Sequence, residues 1–217
     1  MDPLKTMRSL GVVPVIVIDD AADAVPLASA LAAGGLPCAE ITFRTAAAEE
    51  ALRIIAEERP DILVGAGTVL TPYQAATARH AGAEFIVAPG FDRGVVDYCL
   101  THGLPVFPGV CTPTEIGYAI EAGLSVLKLF PAEPMGGAAY LKAASAPFGG
   151  VEFIPTGGVN AGNLASYLAL ANVVACGGSW MAPKSWIAAK QFDRIEAESR
   201  TALQAVHAAR AARGRAA

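Results

Sequence analysis

One lysine of this chain stands inside an apolar run. Val126-Leu127-Lys128-Leu129-Phe130-Pro131 has the composition of a buried strand. Alternation of side chains along a strand puts Leu127 and Leu129 on one face and Val126, Lys128 and Phe130 on the other. The remaining lysines, Lys5, Lys142, Lys184 and Lys190, fall in helical patterns, loops or the first residues. Burial disfavours the charged form of an amine, and a nearby cation disfavours it further. A neutral amine on a rigid strand is the group that attacks a ketone and forms an imine.

Ala39-Glu40-Ile41-Thr42-Phe43-Arg44 supplies complementary groups. The same alternation sends Ala39, Ile41 and Phe43 outward and Glu40, Thr42 and Arg44 inward. A carboxylate and a guanidinium on one inward row are costly to bury without a partner or a task. Two readings stand. In one, Glu40, Arg44 and Lys128 are a structural ion-pair network that fills the interior. In the other, Lys128 is a nucleophile, Glu40 an acid/base beside it, and Arg44 a clamp for an anionic substrate group. Thr68 ends Gly65-Ala66-Gly67-Thr68-Val69. Its hydroxyl could contact a carboxylate beside Arg44, or it could be an ordinary turn threonine. Gly65 and Gly67 leave room for close approach of another group, or mark a sheet corner. Two glycine-rich ends come late, Pro155-Thr156-Gly157-Gly158-Val159-Asn160 and Gly177-Gly178-Ser179-Trp180. Strand-to-helix turns often need glycine, yet two such ends side by side can offer backbone N–H groups to a phosphate, with Thr156 and Ser179 as added hydroxyl donors.

These groups need strands to carry them. Apolar, β-rich runs at 13–18, 39–43, 63–69, 85–89, 105–110, 126–131, 152–157 and 173–178 alternate with longer helical patterns, and successive starts lie 20 to 26 residues apart. Each interval fits one strand and one helix. Thr71-Pro72-Tyr73-Gln74 and Thr112-Pro113-Thr114-Glu115 read as helix starts, each with a threonine N-cap, a proline in the first turn and a capping partner at the third position. Asp20 and Asn160 read as further N-caps. Eight units predict an α/β fold of one domain over residues 1–217, a (β/α)8 TIM barrel with a short N-terminal leader and a long C-terminal helix from about Pro183 to Ala211. An open doubly wound sheet is the alternative. No GxGxxG follows the first strand, however, and the late glycines stand where barrels bind phosphate.

Composition narrows the function classes. With 16 basic and 20 acidic residues, the formal charge is −4, and no basic stretch suggests a nucleic-acid surface. Cys38, Cys99, Cys111 and Cys176 are far apart and share no spacing with His80, His102 or His207, so neither a metal site nor a disulfide framework is expected. Four free thiols predict a cytoplasmic protein. Lys5 and Arg8 before Gly-Val-Val-Pro-Val-Ile-Val-Ile resemble a signal peptide, but Pro14, Asp19 and Asp20 fit a first strand better. No apolar run reaches the ~18 residues of a membrane span.

The stretches EITFRT, GAGTVL, APGF, PGVCTPTE, LKLFPAE, PTGGV and GGSWM together resemble the bacterial 2-keto-3-deoxy-6-phosphogluconate (KDPG) aldolase / 4-hydroxy-2-oxoglutarate aldolase family, in order and spacing, from about residue 10 to residue 190. The resemblance implies a (β/α)8 barrel, a class I aldolase acting on a phosphorylated keto acid, no metal or other cofactor, and a homotrimer. It implies Lys128 as the Schiff-base former and Glu40 as the general acid/base. Arg44 and Thr68 would bind the pyruvate-derived carboxylate. Gly157, Gly158, Gly178 and Ser179 would contact phosphate, with Phe130 and Thr156 also at the substrate. Thr156 stands where the related galactonate aldolase has a small apolar residue, which favours the gluconate epimer. Alternatives are an aldolase for the galactonate epimer or for 4-hydroxy-2-oxoglutarate, a phosphosugar isomerase or epimerase on the same barrel, and a non-catalytic keto-acid binder.

Overall fold

A computed structural model describes residues 2–216 of the chain. Its strands are β1 (Val12–Ile16), β2 (Cys38–Thr42), β3 (Leu63–Gly67), β4 (Ile86–Val87), β5 (Val106–Phe107), β6 (Gly109–Val110), β7 (Val126–Leu129), β8 (Glu152–Pro155) and β9 (Cys176–Gly178). All paired strands are parallel. They form a six-stranded sheet in the order β5-β4-β3-β2-β1-β9 and a three-stranded sheet in the order β6-β7-β8. Single bridges, Phe153 to Val173 and Thr156 to Gly177, join β8 to the segment that ends in β9. The expected strand at 105–110 is divided, because Pro108 has no N–H to donate to a ladder. β5 therefore pairs with β4 on one side of the break, and β6 with β7 on the other.

Helices follow the strands: α2 (Ala24–Ala33), α3 (Ala48–Glu58), α4 (Pro72–His80), α5 (Arg93–Thr101), α6 (Pro113–Glu121), α7 (Gly137–Ser145) and α8 (Leu164–Leu168), then α9 (Lys184–Ala188) and α10 (Phe192–Ala216). The two threonine caps act as expected. Thr71 accepts from the Gln74 N–H, and Thr112 and Glu115 form a full capping box. Asp20 caps a short 3-10 turn. Asn160 does not start α8, which begins at Leu164; its carboxamide instead accepts from the Gly162 N–H and closes the turn after β8. The long C-terminal helix is interrupted, because Lys190 takes a φ of 54° and separates α9 from α10. The leader is itself a helix, α1 (Pro3–Leu10), capped by Asp2 and started by Pro3.

Strand parity divides the buried apolar residues into two clusters. Ala39, Ile41, Val64, Ala66, Leu127, Leu129 and Phe153 face the helices. Val13, Cys38, Leu63, Phe85, Val87, Phe107, Val126 and Ile154 face the concave side, where the α1 residue Met7, fully buried, joins them. Polar groups on that concave side must therefore be carried at the C-terminal ends of the strands, above this apolar floor.

Candidate active site

Glu40 and Lys128 project from the concave faces of β2 and β7, each two residues beyond a floor residue of the same parity, Cys38 and Val126. The two strands belong to different sheets, and the side chains meet in the space between them. Lys128 Nζ lies 3.5 Å from Glu40 Oε1, with the residues 5% and 3% exposed. Among the described residues Glu40 Oε1 accepts no hydrogen bond. A buried ion pair with an unsatisfied oxygen contributes little to stability, since desolvation offsets the attraction. Such violations of good packing concentrate where chemistry is done. A narrow cavity beside the pair is lined by Met7, Val13, Phe85, Val87, Phe107, Ile154 and Thr156. Phe130 covers Lys128, with its ring centroid 5.2 Å from Nζ.

Gly67 makes room for this carboxylate. It pairs with Thr42 across β2 and β3, and a Cβ built on it would stand 2.1 Å from Glu40 Oε1. Gly65 likewise admits the ring of Phe85. Gly67→Ala should displace Glu40 by about an ångström. The expected result is a fall in kcat on the order of 10²-fold and a loss of roughly 1–3 kcal/mol from overpacking. Steady-state kinetics and thermal melts would measure both, and unchanged kcat would show that Glu40 has slack.

Arg44 departs from the strand-parity expectation. β2 ends at Thr42, and the Arg44 N–H turns back to donate to the Thr42 carbonyl, so Arg44 is exposed on the turn above the strand. That turn is fastened to β1 and the residues just past its end. The hydroxyls of Thr42 and Thr45 donate to the carbonyls of Ile16 and Ile18, at 2.7 and 2.5 Å, and the Phe43 N–H donates to Gly67. Thr68 follows β3 directly and holds a φ of 56°. A β-branched residue in the left-handed region costs on the order of 1–3 kcal/mol, a strain typical of ligand-binding turns. Buried Val69 on its far side anchors it. Thus Arg44 and Thr68 stand just past the C-terminal ends of β2 and β3, while Glu40 and Lys128 lie within β2 and β7.

The glycine-rich ends are also adjacent. Thr156 and Gly177 bridge, and Gly177 leaves space for the Thr156 hydroxyl. Thr156 is buried and lines the cavity with Lys128. Gly157 and Gly158 take φ of 98° and 83° and pack against the turn after β7, where a Cβ on Gly158 would meet that of Glu133 at 2.6 Å. Gly178 admits the ring of Trp180, and Ser179 beyond it is exposed.

The thiols are all held above the ordinary thiol value. Burial raises Cys38, Cys99, Cys111 and Cys176, and the negative charge of Glu40 raises Cys38 further. Among the described residues no cluster of three or more His, Cys, Asp or Glu could hold a metal, and no helix is long and apolar enough to cross a membrane. The chain's own parity at 85, 87 and 107 predicts the apolar cavity wall, which charged and glycine motifs alone do not mark. Met7 lies in a segment read as a leader, and the Asp2-Pro3 cap is the signal that identifies its helix.

Comparison with known proteins bears on this arrangement. A family model described as KDPG and KHG aldolase matches residues 4–198. The chain is 50% identical over 202 residues to a 2-dehydro-3-deoxy-phosphogluconate aldolase of Treponema pallidum, covering 93% of this chain and 96% of that one. It is 48% identical over 197 residues to the enzyme of the same name from Pseudomonas aeruginosa, covering 91% and 90%. Among solved structures it is similar to KDPG aldolase from Legionella pneumophila, with pyruvate captured at low pH as a covalent carbinolamine intermediate. The TM-score is 0.90 at 39% identity, covering 93% of this chain and 98% of that one.

Proposed function

This chain belongs to the KDPG and KHG aldolase family, and from that premise we propose that Lys128 forms a Schiff base through which the protein cleaves 2-keto-3-deoxy-6-phosphogluconate reversibly to pyruvate and glyceraldehyde 3-phosphate. The observation that carries the assignment of residues is the buried, incompletely satisfied pair of Lys128 and Glu40 at 3.5 Å.

The steps follow from the placement. Lys128, having passed a proton to Glu40, attacks the substrate's C2 ketone, and Glu40 returns the proton as the carbinolamine loses water. The resulting iminium is an electron sink, so the C3–C4 bond breaks with its electron pair moving into the imine. Glu40 accepts the C4 hydroxyl proton, and the phosphorylated aldehyde leaves. The remaining enamine takes a proton at C3, and hydrolysis releases pyruvate from Lys128. One carboxylate serves each transfer because it stands beside the reacting carbons. Arg44 and Thr68 hold the substrate carboxylate, with charge-assisted hydrogen bonds from the guanidinium. Phe130 and Thr156 border the carbon chain. The Gly157, Gly158, Gly178 and Ser179 ends take the phosphate and so fix the scissile bond relative to Lys128. A 4-hydroxy-2-oxoglutarate molecule, lacking phosphate, would use the lysine end alone, and cleavage of it is the accompanying activity in this reading.

The same reading makes the two sheets one closed (β/α)8 barrel in a single domain, with β5 and β6 as halves of one strand. The bridges beside β9 support that closure. It also makes the protein a cytoplasmic homotrimer. Exposed apolar side chains, Leu70, Tyr73 and Tyr118 among them, leave apolar surface for subunit contact.

Borohydride added with pyruvate should reduce the imine to a stable secondary amine. Intact mass should rise by one reduced pyruvate, and peptide mapping should place it on Lys128 with activity lost in proportion. Inactivation that leaves Lys128 unmodified would remove the Schiff base from this lysine.

A further inference from the structure

We infer that Glu133 and Tyr167 are positioning residues that hold the Gly157–Gly158 turn in register with Lys128, and so set the grip on the substrate's phosphate; this rests on the phosphate reading of that turn above. Glu133 lies five residues after Lys128, on the turn that follows β7. Its backbone N–H donates to the Gly157 carbonyl at 2.9 Å, and the Ala132 N–H donates to Thr156 at 2.8 Å. The Cβ and Cγ of Glu133 fill the space that glycine leaves at Gly158. Three contacts therefore fasten the turn that carries the lysine strand's end to the turn proposed to meet phosphate.

Glu133 is exposed, and an untethered glutamate there would swing between rotamers and hold nothing. Here the carboxylate is tethered. The hydroxyl of Tyr167, a side chain of α8 with no solvent exposure, donates to Glu133 Oε1. Burial, and then the hydrogen bond to Glu133, hold the Tyr167 phenol well above its usual value. Gly137, at the start of α7, comes within 3.0 Å of that oxygen if given a Cβ, so this position too is kept open for the tether. The tether also fixes where the negative charge of Glu133 points. It is bonded to Tyr167 beneath the turn, and a carboxylate released beside Gly158 would repel a phosphate dianion.

The test separates the two ends of the substrate. Glu133→Ala and Tyr167→Phe should each raise KM for 2-keto-3-deoxy-6-phosphogluconate about tenfold, the scale of one lost charge-assisted hydrogen bond. In both, the pyruvate concentration that half-saturates borohydride trapping should stay close to wild type. Glu133→Gln, whose amide oxygen still accepts from Tyr167, should restore a near-normal KM. Thermal melts establish that the variants are folded, and Tyr167→Phe carries the test if Glu133→Ala does not fold. The proposal is overturned if folded variants leave KM unmoved, if pyruvate trapping weakens in parallel, or if Glu133→Gln behaves like Glu133→Ala. A wild-type protein that traps pyruvate but gains nothing from the substrate's phosphate overturns the phosphate reading itself, and this proposal with it.

Discussion

Lys128→Met should lower turnover by roughly 10⁵-fold or more, the scale seen when a covalent nucleophile is deleted. Methionine nearly matches the length of the lost chain and suits an apolar wall of Val13, Phe85 and Phe107. The substitution also strips Glu40 of the cation 3.5 Å away. Breaking a buried pair from one side costs about 3–5 kcal/mol, whereas replacing both members with apolar groups is often neutral or stabilising by about 1–4 kcal/mol. The single variant should therefore melt well below wild type. The double variant Lys128→Met with Glu40→Leu should recover the melting temperature and remain equally inactive. That pair of results would separate chemistry from folding. Residual turnover within tenfold of wild type would mean that another amine forms the imine.

Glu40→Gln should slow turnover by about 10²–10⁴-fold, the usual worth of a placed general acid/base. The carboxamide has the same shape and fits the space that Gly67 leaves, so the protein should still fold, melting below wild type because Lys128 loses its partner. The carboxamide cannot take up a proton between steps. The sharpest readout is exchange of the pyruvate methyl protons with deuterium, which requires the enamine to form and collapse repeatedly. Exchange should fall with turnover, while borohydride still captures an adduct on Lys128 after long incubation. Wild-type exchange in the variant would assign the proton transfers to another group.

Much of this site was legible from period-two alternation, because facing in a strand depends only on local sequence. Cys38 and Glu40 share the concave face, as do Val126 and Lys128, while Ala39, Ile41, Leu127 and Leu129 turn to the helices. The rule fails where the strand ends. Arg44 lies two residues past Thr42, and a turn held by hydrogen bonds to β1 and the residues just past its end decides its position. Those bonds join residues 26 and 27 apart in the chain. They are tertiary facts that no local pattern encodes. The same holds for Gly67, whose glycine is needed because a carboxylate from β2 occupies the place of its Cβ. Pro108 and Lys190 were readable as interruptions only in hindsight of the ladder and the helix they divide. The late glycine-rich ends were legible as a pair, but not the side-chain tether that Glu133 and Tyr167 provide beneath them.

Met7 gives the chamber a closed bottom. Its thioether, with no solvent exposure, lies among Val13, Phe85 and Phe107 beneath the lysine, and α1 holds it there from the N-terminal end of the strands. The reacting groups are then approached from the opposite end, where Arg44 and Thr68 stand just past β2 and β3. Substrate, aldehyde and the water that frees pyruvate all pass by that end. The aldehyde leaves first and pyruvate second, because pyruvate stays bonded to Lys128 until that water cleaves the imine.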